Sequence, residues 1–150
     1  MVKRLASVVS KAVNTIDVLA PVFDLVVRLY VAQVFFKSGL VKIQSWDSTL
    51  SLFENEYTVA LLPPDLAAWL ATAAELCLSP LIALGLAGRF GALALSVLNV
   101  AAATSYPDIS ESGIKDHILW GWLLAMLVLH GPGMFSLDFV IKRRFFGTTI

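Results

Sequence analysis

Charge is scarce in this chain. Charged residues fill 15% of its 150 positions, against roughly 25% in an ordinary soluble domain, and eleven basic side chains are balanced by eleven acidic ones. Without an excess of positive charge there is nothing to draw in a polyanion, which excludes nucleic acid as a partner. Cysteine is almost missing as well. Cys77 stands alone, so an internal disulfide and any Cys-x-x-Cys redox or zinc motif are excluded. No haem, flavin or iron–sulfur signature is present either. What fills the chain is apolar: 58% of the residues are hydrophobic and mean hydropathy is +0.80, more than one soluble domain of this length could hide. The lipid bilayer is the expected surrounding.

Four stretches approach the ~20 apolar residues that cross a ~30 Å hydrocarbon core: about 18–41, 66–88, 90–106 and 114–131. The second carries a single charge, Glu75. The first is interrupted by Asp24, Arg28 and Lys37, yet it still reads as a spanning helix because its other residues are dense in Val, Leu, Phe and Tyr. The expected fold is all-α, an integral membrane four-helix bundle in one domain covering 1–150. Lys3, Arg4, Lys11, Arg89, Lys142, Arg143 and Arg144 fall on one side of it, whereas Lys42 and Lys115 lie on the other among many acidic residues. Cytoplasmic loops carry the basic excess, so both termini are predicted to be cytoplasmic. The polar lead runs as far as Asp17 with no small-residue cleavage site after the first apolar run, which argues against a cleavable signal peptide.

The first outer loop, 42–65, has its own pattern. Trp46, Leu50, Phe53 and Tyr57 recur at helical spacing, the stripe of an amphipathic segment lying in the membrane interface. Pro63-Pro64 ends that segment, and Asp65 is placed to cap the second span.

Charges inside hydrocarbon cost at least ~2.5–3.5 kcal/mol on insertion scales, so each needs a partner or a reason. Asp24 precedes Arg28 by one helical turn, and Asp24, Arg28, Phe35, Gly39 and Lys42 share a face of the first span, with Lys37 on the opposite side and expected to snorkel. Glu75 shares a small, hydroxyl-bearing face with Ala68, Thr72, Ser79 and Ile82. Counting ~1.5 Å per residue from the cytoplasmic ends puts Arg28 ~12 Å and Glu75 ~18 Å deep, with Asn99 near the depth of Arg28. A buried polar cluster of Asp24, Arg28, Glu75 and Asn99 is predicted: a proton, quinone or solute site, or else an ion pair that fixes helix register. Lys42, Asp116, His117 and Trp120 gather at the outer mouth, where an external ligand or partner would dock. His117 and His130 bracket the fourth span ~20 Å apart and cannot share a metal, so no metal site is expected. Cys77 falls ~200° from Glu75 on its helix and is expected to be inert. Ala83/Ala87 and Gly121/Ala125 are small-residue pairs that suit a compact bundle or a self-association face, so a homo-oligomer is open.

The chain resembles the DoxX-like membrane proteins over nearly its whole length after residue 20. The resemblance rests on an ordered set of segments: Arg28 followed by Phe35-Phe36-Lys37-Ser38-Gly39-Leu40-Val41-Lys42; Trp46-Asp47-Ser48-Thr49, Leu52-Phe53-Glu54 and Glu56-Tyr57; Leu61-Leu62-Pro63-Pro64; Ala74-Glu75-Leu76, Gly85-Leu86 and Arg89; His117-Ile118-Leu119-Trp120; and the run from Gly131-Pro132-Gly133 to Asp138. It implies a four-helix protein of the bacterial inner membrane. Relatives are linked to quinone-connected thiosulfate oxidation, to membrane complexes that handle oxidative and thiol stress, and to gene clusters for metal-stress peptides. The family has no agreed catalytic residues, so Arg28, Lys42, Glu75 and His117 carry over as pattern positions. The expected function is a small accessory or quinone-contacting subunit of a membrane redox or stress-response system with a protein partner of that kind. It has no complete catalytic motif of its own. A non-catalytic anchor or assembly factor, or a small-solute transporter, are the alternatives.

Overall fold

The computed structural model describes residues 2–59 and 61–147; the side chains of Lys3, Arg4 and Lys11, which entered the orientation count, lie outside the described residues. Among the described residues six helices follow one another: α1 (Val2–Gln44), α2 (Trp46–Asn55), α3 (Pro64–Leu84), α4 (Gly88–Ser105), α5 (Glu111–His130) and α6 (Leu137–Phe146). Ile16–Gln44 within α1, and the whole of α3 and α5, are long and apolar enough to cross a membrane. The expected third span becomes α4, which is not among these three. Its 18 residues include Arg89 and Asn99, which dilute its hydropathy.

Local chemistry sets the ends. Pro63 is the N-cap of α3 and Pro64 its first residue, where a missing N–H costs nothing; Asp65 sits in the first turn instead of capping it. α3 closes on Gly85, which is left-handed at φ 65°. Ser110 caps α5 by accepting from the Gly113 N–H at 3.1 Å, and Ser136 caps α6 by accepting from the Phe139 N–H, also at 3.1 Å. α4 has no cap of its own. The Asp138 carboxylate, supplied from α6, accepts from the Ala87 and Gly88 N–H groups at 2.9 and 3.0 Å, a charge at the positive end of the helix.

α1 packs along α3, α3 on α4, and α4 on α5, around a core of Val27, Val31, Phe35, Ile82, Leu95, Leu124 and Leu127. A smaller cluster forms where α2 lies on the start of α3, with Phe53 against Ala67 and Ala68 and with the Trp46 and Trp69 rings tilted at 45°, centroids 4.2 Å apart. The amphipathic stripe in the first outer loop is thus used to dock α2 on the bundle. One small-residue pair fails: α3 stops at Leu84, so Ala87 belongs to the turn and not to the face that holds Ala83.

Gly39 sets how α1 meets α3. A Cβ there would stand 2.8 Å from Leu76 Cγ and 3.1 Å from Glu75 Cβ, so the α1 backbone packs directly on these two side chains of α3. This contact fixes the register. Antiparallel to it, Arg28 lies level with Gly85, ten residues or ~15 Å from the level of Glu75.

Candidate functional site

That register divides the expected polar cluster into separate arrangements. At the end of the bundle that holds the turn after α3, the end expected from the basic residues to be the inner one, Arg28 is 1% exposed and its Nη2 donates to the Phe135 carbonyl, with Asp24 and Asp138 supplying negative charge nearby. A Cβ on Gly85 would stand 1.9 Å from Arg28 Nη1 and 2.4 Å from Ser136 Cβ, so this turn accepts only glycine on two counts, space and its left-handed φ. Arg89 closes the same end by donating to the Leu129 and His130 carbonyls at the end of α5, at 3.2 and 3.4 Å. Arg28 therefore serves turns, and it does not reach Glu75. The depth count set the two side by side because it started both helices at one level, whereas Arg28 lies level with Gly85 at the end of α3 and α1 runs on past it.

Glu75 pairs with Lys42 instead. Nζ of Lys42 donates to Oε2 and Oε1 at 2.7 and 2.8 Å and to Ser38 Oγ at 2.8 Å, while Ser38 Oγ donates to Glu75 Oε1 at 3.2 Å. Glu75 is 6% exposed. Ser38 and Lys42 are one turn apart on α1, which is why both reach one carboxylate. Burying such a pair gains little over an apolar pair of equal volume, but removing one partner leaves a bare charge and costs ~3–5 kcal/mol.

The third pair joins α4 to α5. Asn99 Nδ2 donates to the His117 carbonyl at 2.9 Å, and its Oδ1 lies 2.8 Å from His117 Nδ1. Because the amide nitrogen must face the carbonyl, Oδ1 faces the ring and accepts from a protonated Nδ1, leaving Nε2 with its lone pair. The ring stands edge-on to Trp120 with centroids 5.0 Å apart, and Trp120 meets Phe35 of α1 at 5.9 Å. Of the expected outer-mouth set, His117 and Trp120 are together, Asp116 is exposed beside them, and Lys42 turns inward to Glu75.

Two cavities flank the Lys42–Glu75 pair. One, of about 350 Å³, lies between α3 and α4 beneath Tyr57, Val59 and Leu62. Lys42, Glu75, Tyr57 and Ser105 form its polar end and a group of alanines its walls, while Leu70 and Val97, 50% and 66% exposed, stand at its rim. The other, of about 540 Å³, lies between α1 and α2 and is lined by Lys37, Ser38, Lys42, Thr49 and Tyr57 with Val34, Val41 and Leu52. Volumes in this range hold small organic ligands. Tyr57 is stacked between Phe53 and Tyr106, at 4.8 and 5.2 Å, and burial pushes its phenol above the usual value, with Glu75 and Glu56 adding to the effect. Ser38 and Tyr57 were missed as site residues from sequence. The four-residue step from Ser38 to Lys42 was the available signal for the first. Tyr57 stood in the amphipathic stripe of the first outer loop, which marked it as an interface residue and not as a site residue.

Among the described residues no group of three or more His, Cys, Asp or Glu side chains could hold a metal ion, and Cys77 is exposed.

Comparison with known proteins places these residues in company. The DoxX family model matches residues 23–107, which include Arg28, Lys42, Glu75 and Asn99. A protein of Haemophilus influenzae, itself described only as uncharacterised, is 31% identical over 126 residues, covering 79% of this chain and 83% of the relative. No solved structure matches the chain.

Proposed function

Since the chain belongs to the DoxX family of membrane proteins and lies in contact with lipid, we propose that it is a small accessory subunit of a membrane redox or stress-response system, one that holds a quinone head against Lys42 and Glu75. The single observation that carries the reading is a buried ion pair forming the polar end of an otherwise apolar cavity whose rim residues are exposed on the helix surface. Such a cavity suits a ligand that arrives from lipid with a polar head and a greasy tail. The Lys42 ammonium would donate to a quinone carbonyl oxygen, and the Glu75 carboxylate would accept from a quinol hydroxyl. The chain contributes binding and orientation, and a partner carrying a redox centre would perform electron transfer.

In this reading α4 is the fourth span, since its 18 residues make ~27 Å of helix. The bundle then sits in a bacterial inner membrane with both termini cytoplasmic, in keeping with Arg89, Lys142, Arg143 and Arg144 at one end. The partner would dock on the opposite face, on α2 and around Asp116, His117 and Trp120.

The test is purification of the tagged protein in mild detergent, followed by solvent extraction and chromatography for quinone. The wild type is expected to retain quinone and the Lys42→Met/Glu75→Met double variant to lose it. A folded wild type that retains none would overturn the quinone reading and leave the anchor or assembly role.

A further inference from the structure

Lys42 and Tyr57 line both cavities. Glu75 lies on the α3/α4 cavity, Ser38 on the α1/α2 cavity, and Lys42 Nζ bonds to both of them. The pair is therefore a partition with one polar face toward each chamber. Resting on the site proposed above, we infer that Glu75 exchanges protons with water in the α1/α2 cavity through Ser38, so that protons reach and leave the ligand site from the side of the membrane that bears α2.

The inner side offers no comparable route. Between Glu75 and the Arg28 level the α1 and α3 interface holds the buried apolar residues Val31, Ala32, Phe35 and Ile82 and one hydroxyl, Ser79, which lines a separate cavity of about 330 Å³ but whose Oγ has no hydrogen-bond partner among the described residues and so forms no link to Glu75. Proton movement requires a chain of hydroxyls, ionisable groups or water. Ser38 Oγ, 3.2 Å from Glu75 Oε1, supplies the first link, and the exposed Lys37 lines the same cavity as Ser38. The step balances simply. Ser38 passes its hydroxyl proton to Glu75 Oε1 and takes one from a hydronium ion in the α1/α2 cavity, which departs as water; a carboxylate becomes a carboxylic acid and no electron moves. Lys42 takes no part in the transfer, and its Nζ, 2.8 Å from Ser38 Oγ, keeps the Ser38 oxygen oriented.

The groups that face Glu75 are few. Lys42 and Ser38 come from α1 and the Tyr57 phenol from the segment after α2, while α4 offers Ala94, Leu98, Ala101 and Ser105, none of which titrates. A change in the protonation of Glu75 can thus be read without interference from a second carboxylate in the cavity lining.

The experiment uses the full chain, free of quinone, in liposomes where protease access to the Lys142–Arg144 segment reports orientation and where lumenal and external pH are set independently. The infrared carbonyl band of protonated Glu75 is identified by its loss in Glu75→Gln or, should that variant not fold, by its shift in Glu75→Asp. The band is expected to follow pH on the α2 side alone, and Ser38→Ala, which keeps the ion pair, to slow its response at least ~10-fold. A band that follows pH on the α6 side or both sides equally, that shows no response to pH, or that is unaffected by Ser38→Ala would overturn the inference. Because no quinone is present, failure here is separate from failure of the quinone reading, which the extraction experiment decides.

Discussion

Two basic residues on one face of one helix, Arg28 buried and Lys42 half-buried, are used in opposite ways. Arg28, at the inner end, is spent on backbone: it holds the Phe135 carbonyl and packs on Gly85, in a knot where Asp138 caps α4 and Arg89 caps the end of α5. Lys42, toward the outer end, is bound to a carboxylate and a hydroxyl with open volume on either side. A cation anchored to carbonyls of tight turns connects elements of the fold. A cation matched to a titratable partner beside a cavity can change partners, which ligand exchange requires. The two charges differ both in burial and in the space beside them: Arg28 is 1% exposed among packed turns, whereas the Lys42 side chain is 19% exposed between two cavities.

The comparison breaks most violently at the inner end. Gly85→Ala forces a Cβ to within 1.9 Å of Arg28 Nη1 and onto a left-handed backbone, so it is expected to lower stability by about 2–5 kcal/mol, read as a fall in thermal melting temperature in detergent. If Gly85→Ala melts like the wild type, Arg28 is not locked in the turn. Lys42→Met comes next, with an expected loss of about 3 kcal/mol as the Glu75 charge is left bare. The double variant Lys42→Met/Glu75→Met should recover most of that loss while staying unable to hold ligand, a non-additivity that a double-mutant cycle measures directly. Recovery of stability without recovery of binding would mark the pair as functional. If the double variant is worse than either single one, the pair belongs with Arg28 as a structural device.

Much of this could be read from sequence. The face holding Asp24, Arg28, Phe35, Gly39 and Lys42 does point inward, as does the Ala68, Thr72, Glu75, Ser79 and Ile82 face of α3, because helical periodicity converts spacing into direction without further information. Lys37 and Cys77 lie on exposed faces for the same reason. Pairing across helices was not legible, since it depends on register and register is set by contact. One glycine, Gly39, lets α1 and α3 meet at Glu75, and the shared level of Arg28 and Gly85 follows from that; composition gives no hint of either. Asp138 as the cap of α4 was hidden too, because its partners at Ala87 and Gly88 are 50 residues away along the chain and their N–H groups are not side-chain features.

Asp138→Asn is a milder probe of the inner knot. It keeps one acceptor and removes the charge at the start of α4, so a loss of about 1 kcal/mol is expected, seen as a small drop in melting temperature and faster amide exchange in the first turn of α4. A loss as large as that of Gly85→Ala would make the cap, rather than the Arg28 turn, the main tie of this end.

The smallest effect is at Tyr57, between the two outer cavities, and its sign follows from its surroundings. Burial raises its phenol pKa above 10, and the charges of Glu75 and Glu56 act in the same direction. The folded protein therefore favours the neutral phenol. Whatever stability rests on that preference is whole below pH 10 and is lost as pH rises through the raised value in the folded state. Melting temperature measured from pH 8 to 11 should thus fall more steeply in the wild type than in Tyr57→Phe, which has no proton to lose, and the two curves should run parallel at the lower end. A wild-type curve parallel to that of Tyr57→Phe over the whole range would mean that the ring packs between Phe53 and Tyr106 but its hydroxyl reaches water. In that case the wall between the cavities is open at Tyr57, and Lys42 alone divides the lipid-facing chamber from the outer one.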